Sequence, residues 1–358
     1  MRSTLLSAGL AALSLLTFPA AAQDLTPTQF KALCENSPLN TFTVNTPVKI
    51  LGTAPTVTAI NTGCRVNFTL NGKIEADQAA FTFAGPLVFQ AGPNAEVTLV
   101  KSFFSAPTVQ ITEGTSSSLI LAESTVQATA GNITLALGAL GKVDASLPFA
   151  GRQNALEAAG AISISGSSRA AFSLQNSSAV AGTNFSISFA GPEANLQVVN
   201  ARITATAGPL SVIAPGQKAN FDLSSSALIG GAGVTLVAQG REGHINMSQM
   251  QINAGSGAVR VEAVNTMGVI KMADATVVSG GGITVLAARN STLGEAVVEV
   301  SNFSAQGAVR VESGSGGTTT VLNNRISSPT SITVFTPANG SCVAENNTAI
   351  APVLRLCI

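Results

Sequence analysis

From Ile133 onward the chain repeats one short phrase, an apolar residue, a polar one and an apolar one, following a glycine or small residue. It reads Ile133-Thr134-Leu135, Ile162-Ser163-Ile164, Val234-Thr235-Leu236, Val259-Arg260-Val261, Ile283-Thr284-Val285, Val309-Arg310-Val311 and Ile332-Thr333-Val334, with looser versions at Ser186 and Ser211. Most copies recur after about 24 residues. A unit that short cannot enclose a hydrophobic core by itself, so its apolar residues are buried only when successive units stack. The repeat therefore demands a solenoid.

A second anchor runs through the same units, an apolar strand end followed five positions later by another apolar residue. Leu121 and Val126, Val198 and Ile203, Leu223 and Leu228, Met247 and Ile252, Met272 and Val277, and Val321 and Ile326 are such pairs. Between them stand small or amide residues such as Asn200, Ser225 and Asn323, which suit a tight corner in the left-handed region. Stacked corners of this kind can hydrogen-bond along the rod. Each unit then holds two or three short strands, and the column Val234, Val259, Ile283, Val309 and Ile332 is core, as are Met247 and Met272.

Coils of this length, with short β-branched strands and Gly or Asn corners, resemble the right-handed parallel β-helix of the pectin-lyase-like superfamily and of filamentous-haemagglutinin-type adhesins. The resemblance covers roughly Val97 to Thr336 and implies an all-β fold of about ten coils, with no single activity attached to it. The segments expected are a signal peptide over 1–22, a cap helix with irregular strands or first coils over 23–92, the β-helix over 93–340 and a closed C-terminal cap over 341–358. A transmembrane β-barrel is the main rival. It is a poor one, because such barrels carry Trp and Tyr girdles and this chain has neither residue.

Met1 to Ala22 places Arg2 ahead of an apolar run and then Ala20-Ala21-Ala22, the order of a secretory signal peptide. Its style points to a Gram-negative bacterium, and the mature chain is expected in the periplasm or outside the cell, with no membrane-spanning segment after leader removal. Thr26-Pro27-Thr28-Gln29 reads as an N-cap, a proline at the first helical position and a capping-box Gln. That short helix would lie as a lid over the first coil. Between Thr41 and about Phe89 the alternation is less regular, and Asn71-Gly72 signals a hairpin turn, leaving a small antiparallel cap and irregular first coils both open.

The four cysteines, Cys34, Cys64, Cys342 and Cys357, form an even set in an oxidising setting. Three pairings exist; since the two ends of a stacked rod lie far apart, the local pairs 34 with 64 and 342 with 357 are expected. Each would add roughly 3 kcal/mol by loop-entropy arithmetic.

Charged residues form 10% of the chain and cancel to zero, so electrostatic attraction to nucleic acid has almost no source. The acidic residues Asp24, Asp77, Asp144, Asp222 and Asp274 show no adjacent pair, whereas hydrolases need neighbouring carboxylates and lyases of this fold need clustered Asp for Ca²⁺. Gly240-Arg241-Glu242-Gly243-His244 is the nearest approach to a catalytic set, a Glu and a His in one turn, and reads more simply as a solvated turn. With a single His and no Cys-x-x-Cys, no metal site is expected, and no cofactor is called for. Asn-x-Ser/Thr sequons at Asn67, Asn132, Asn184, Asn246, Asn290 and Asn302 arise by chance in so Asn- and Ser-rich a chain.

The outward residues of the repeated strand form a column, Thr134, Ser163, Ser186, Ser211, Thr235, Arg260, Thr284, Arg310 and Thr333. Two positions on, a second column runs through Ser165, Ser188, Ile213, Val237, Glu262, Leu286, Glu312 and Phe335. The candidate binding face is Thr235, Arg260, Glu262, Thr284, Arg310 and Glu312, the Arg and Glu pairing along a strand or across coils. Val237, Leu286 and Phe335 would be left in solvent unless the strand bends or a partner covers them. The expected function is a non-enzymatic structural or adhesive rod that meets an envelope or extracellular protein or glycan. A polysaccharide-degrading enzyme is the alternative and an ice-binding rod a more distant one.

Overall fold

The computed structural model describes residues 23–357 apart from 54–55, 151, 265, 289–293 and 338; the leader expected over Met1 to Ala22 and the Asn290 sequon lie outside the described residues. The chain winds into a parallel β-helix with three strands per coil. One coil is Lys218–Ser224, Ala227–Gly230 and Val234–Ala238. Sheet one stacks fourteen strands from Gln23–Leu25 to Ser341–Glu345, sheet two thirteen from Val57–Ile60 to Thr348–Ile350, and sheet three fourteen from Thr41–Val44 to Val353–Leu356. Neighbouring coils pair in parallel with no slip, Val234 opposite Val259, Ile283, Val309 and Ile332 in turn.

The expected ten coils become about fourteen. The difference lies at both ends, where strands such as Cys64–Phe68 and Lys73–Asp77 join sheets three and one and the tail supplies the last strand of each sheet. Asn71-Gly72 does not form a hairpin. The strands that flank it pair instead with coils above and below, Cys64–Phe68 with Leu87–Gln90 and Lys73–Asp77 with Glu96–Val100, and Asn71, at φ 60°, turns the chain from sheet three to sheet one.

Alternation explains the interior. Val234, Val259, Ile283, Val309 and Ile332 are fully buried, as are Met247 and Met272. In the early coils the interior is filled by phenylalanine: Phe81 lies 5.2 Å from Phe104 and 4.9 Å from Phe30, ring centre to ring centre.

Helix α1, Pro27–Asn36, carries Phe30 and starts with the expected capping box. Gln29 N–H donates to Thr26 Oγ1, while Thr26 N–H donates to Gln29 Oε1 at 2.7 Å. The helix guards the open edge of sheet two. Lys31 Nζ donates to Ala59 O at 2.7 Å, and Asn61 N–H donates to Glu35 Oε1 at 2.7 Å, so side chains occupy backbone groups that an exposed edge would offer to another strand. The Cys34–Cys64 disulfide ties α1 to sheet three, and Cys342–Cys357 closes the other end. Among the described residues no helix is long and apolar enough to cross a membrane.

Candidate functional site

Two surfaces stand out. The first is the outer face of sheet three. The column read from sequence forms in full, with Thr134, Ser163, Ser186, Ser211, Thr235, Arg260, Thr284, Arg310 and Thr333 opposite one another coil after coil. The second column is equally in register, Val237, Glu262, Leu286, Glu312 and Phe335.

Their exposure differs from that of a plain solvated strand. Arg260 and Arg310 keep 53% of their side-chain surface in solvent, whereas Glu262 and Glu312 keep 6% and 10%. Each Arg pairs with the Glu two residues on, along its own strand. Arg260 engages Glu262 with both Nε and Nη2, the latter at 2.6 Å, and the carboxylate holds the guanidinium further into its charged range. Arg310 Nη2 contacts Glu312 Oε2. Val237 and Leu286 are buried, at 3% and 6% exposure, and Phe335 is half-buried, so the apolar members leave no open greasy patch. Thr235 and Thr284 are half-buried beside the two arginines.

Glu242 and His244 do not share a turn. Both lie on strand Glu242–Ser248, where Glu242 forms an ion pair with Lys218 Nζ at 3.2 Å and His244 stands exposed. Among the described residues no three His, Cys, Asp or Glu side chains gather as metal ligands. On sheet one Asp24, Glu75 and Asp77 surround Lys49, which pairs with Glu75 at 2.7 Å, and further along Asp222 stands among amides, accepting from Asn220 Nδ2 at 2.6 Å and from Asn246 Nδ2 at 3.0 Å.

The second surface is the corner between sheets one and two. Its outer column takes the left-handed conformation in coil after coil, among them Asn176, Asn200, Ser225, Gln249 and Asn323, with φ between 47° and 57°. These side chains bond along the rod, Asn200 Nδ2 to Asn176 Oδ1 at 2.8 Å and Ser225 Oγ to Gln249 Oε1 at 2.8 Å. One residue further on, a buried column lends its side chains to the backbone. Ala79 N–H donates to Ser102 Oγ, Ser102 N–H to Ser124 Oγ, Ala201 N–H to Ser226 Oγ and Ala275 N–H to Ser301 Oγ, at 3.0 to 3.1 Å.

The ladder is interrupted where the column holds an apolar residue, at Ala201, Met250 and Ala275, and in another way below Ser177. There the chain does not turn directly into sheet two but detours through residues 147–150 and 152–155, and the position below Ser177 is Pro148, which has no N–H to donate. Ser177 Oγ is buried and has no hydrogen-bond partner. The detour folds against the outside of sheet two: Phe149 packs on Phe103 at 6.1 Å, Arg152 lies over the same ring at 4.0 Å, and Thr125 Oγ1 accepts from Phe149 N–H and donates to Asn154 O. Beside it a groove of about 730 Å³ opens along the corner. The sequence reading missed this groove; Pro148 and the longer spacing from Ile133 to Ile162 are the signals that mark it.

Ser226 and Ser177 therefore give a paired test. Ser226→Ala strands the buried Ala201 N–H and is expected to cost about 1–3 kcal/mol, whereas Ser177→Ala removes an oxygen that bonds nothing and should change stability by less than about 0.5 kcal/mol. Urea denaturation of the two variants checks this, and equal losses would contradict the ladder.

Compared with models of protein families, with curated proteins and with solved structures, the chain matches none.

Proposed function

We propose that the protein is an exported, non-enzymatic adhesive rod that binds an envelope or extracellular glycan or protein through the outer face of sheet three. The observation that carries this reading is the unbroken column Thr235, Arg260, Thr284, Arg310 and Thr333, in which two guanidinium groups are steadied by buried carboxylates two residues away. Coils lie about 4.8 Å apart, so the two arginines repeat at roughly twice that spacing on a surface that is already ordered. Little entropy is then lost on binding, and many weak contacts add up along one face. Glu262 and Glu312 serve as anchors for the arginines and not as contacts of their own. The two disulfides are compatible with an oxidising, exported setting, and the pattern-level resemblance to filamentous-haemagglutinin-type adhesins points the same way.

Beads coated with the mature chain and washed over surfaces of lipopolysaccharide, peptidoglycan and an array of extracellular glycans test the proposal. Retention on at least one surface, falling ~10-fold or more in the Arg260→Ala/Arg310→Ala double variant, is expected. Retention unchanged by the double variant would remove sheet three from the mechanism. New reducing or unsaturated ends released from pectin or alginate, and lost on Glu242→Gln or His244→Ala, would replace adhesion by the enzyme reading.

A further inference from the structure

The outer face of sheet three carries a second period on top of the coil. Its central column alternates strictly over six coils: Thr235, Arg260, Thr284, Arg310, Thr333 and Arg355. The residues two places further along each strand alternate with it, Val237, Glu262, Leu286, Glu312 and Phe335, and so do those two places before it, Gly233, Ala258, Gly282 and Ala308. The run Ala-Val-Arg-Val-Glu stands at 258–262 and again at 308–312, two coils on. Stacking alone does not ask for this, because the backbone ladder and the inward column Val259, Ile283, Val309 and Ile332 repeat with every coil.

The three columns also differ in height. Arg260, Arg310 and Arg355 are exposed, and the threonines between them are half-buried. On one side Glu262 and Glu312 hold Arg260 and Arg310. On the other, Gly233, Ala258, Gly282 and Ala308 lie against one another through the bonds Val234 N–H to Ala258 O, Val259 N–H to Gly282 O and Ile283 N–H to Ala308 O, and none projects more than a methyl group. The face is thus a low shelf along the rod beside guanidinium groups spaced by two coils, ~9.6 Å. Sealed carboxylates balance the charge of Arg260 and Arg310, but a guanidinium carries five donors and Glu262 is bonded through Nε and Nη2. Donors face outward on a surface with little net charge.

On the reading of sheet three as the binding face, we propose that its ligand is an extended, unsubstituted β-1,4-linked N-acetylglucosamine chain lying along the rod, one ring to each coil. Successive rings of a β-1,4-linked chain are turned over, so a group on one edge returns every second ring, after about 10 Å, against ~9.6 Å for two coils. The mismatch from Arg260 to Arg355 is about 1 Å, which long arginine side chains absorb. An α-1,4-linked chain coils and does not bring its groups back in line. The acetamido carbonyl is a neutral acceptor and suits donors whose charge is already balanced, whereas a carboxylate on every ring would meet Glu262 and Glu312 beneath the arginines. Thr284 and Thr333 face the intervening rings, whose acetamido groups extend over the shelf. The shelf offers no polar partner to a larger substituent, so the bare chain is the one assigned.

Titration calorimetry on the full mature chain tests the assignment with chitohexaose, chitobiose, cellohexaose, maltohexaose, hexagalacturonate and a muramyl-containing hexasaccharide. Chitohexaose is expected to bind at least ~10-fold more tightly than each of the others, with little change as salt is raised. The Thr333→Arg/Arg355→Thr double variant keeps composition, charge and both Arg–Glu pairs but breaks the two-coil spacing, and should lose ~5-fold or more in affinity for chitohexaose. No heat from any probe, equal binding of cellohexaose or maltohexaose, tighter binding of hexagalacturonate or of the muramyl-containing chain, or a double variant that binds like the parent would each overturn the proposal. Such a result, with bead retention still lost in Arg260→Ala/Arg310→Ala, removes this glycan and leaves sheet three as the adhesive face; retention indifferent to that variant removes both.

Discussion

Replacing Asn324 by alanine is expected to lower the unfolding free energy by about 4 kcal/mol, the largest loss available from a single corner residue of this rod. Asn324 is buried and works in both directions. Its Oδ1 accepts Ser301 N–H at 2.7 Å, its Nδ2 donates to Val298 O at 2.9 Å, and its own N–H is taken up by Asn347 Oδ1 at 2.9 Å. Alanine at 324 leaves Ser301 N–H and one acceptor site of Val298 O without partners in a buried corner, at about 1–3 kcal/mol each. Asn324→Asp keeps the acceptor but cannot donate to Val298 O, so it should be destabilised as well. Asn324→Ser imitates the Ser301 position one coil earlier and should recover part of the loss. Because coils touch only their neighbours, the damage should concentrate near the C-terminal end. Urea denaturation gives the magnitude, and faster amide exchange at Ser301 than at Ala201 gives the location. Unchanged exchange at Ser301 would show that the ladder does not protect that amide.

The same ladder shows how far the sequence can be read. Strand spacing, inward columns, the capping box of α1 and both disulfides were legible, since each follows from a short-range rule: period-two alternation, a cap motif, or proximity within one end of the rod. Corner residues were legible where Asn200, Ser225 and Asn323 advertise the left-handed conformation. They were silent where stacking forces Lys101, Glu123, Leu147 or Val300 into the same region. The first coils were obscured for a related reason. Asn71-Gly72 satisfies the local rule for a hairpin, but the gain from pairing with coils on both sides exceeds that of a two-strand turn, so the tertiary stack decides. On the candidate face, alternation placed Glu262, Leu286 and Glu312 outward, while their burial depends on what surrounds the strand. The corner groove depends on the path of a nine-residue detour, for which no periodicity exists to consult.

Glu113 is expected to make this protein lose stability as pH rises through neutrality, the reverse of what paired surface carboxylates do. It directly follows strand Val109–Thr112, its backbone N–H bonds Ala136 O, and in the next coil the inward place beyond Ala136 is held by the buried Leu137. The side chain is 6% exposed, and neither carboxylate oxygen has a hydrogen-bond partner. Burial pushes the carboxyl up to about 9 from its ordinary 4.5. The Lys142 backbone opposes this only weakly, its N–H being given to Ser117 O at 3.0 Å. Contrast another buried polar group, where Ser313, Thr319 and Thr336 bond one another and the backbone at 2.7 to 3.3 Å. Between pH 4.5 and about 9 the folded chain keeps a proton on Glu113 that the unfolded chain has released, so stability falls with rising pH across that window, by up to about 1.4 kcal/mol per unit. It levels off above the folded value. Glu113→Leu, with the residue that the next coil already uses, abolishes the slope and removes an unpartnered polar group, so the variant should exceed the parent at every pH, and by more at pH 8 than at pH 5. The difference between the two urea midpoints measured across pH isolates this one carboxyl from every other titrating group. A difference that stays constant from pH 5 to pH 8 would mean that Glu113 ionises in the folded coil as freely as in the unfolded chain, which its sealed position does not permit.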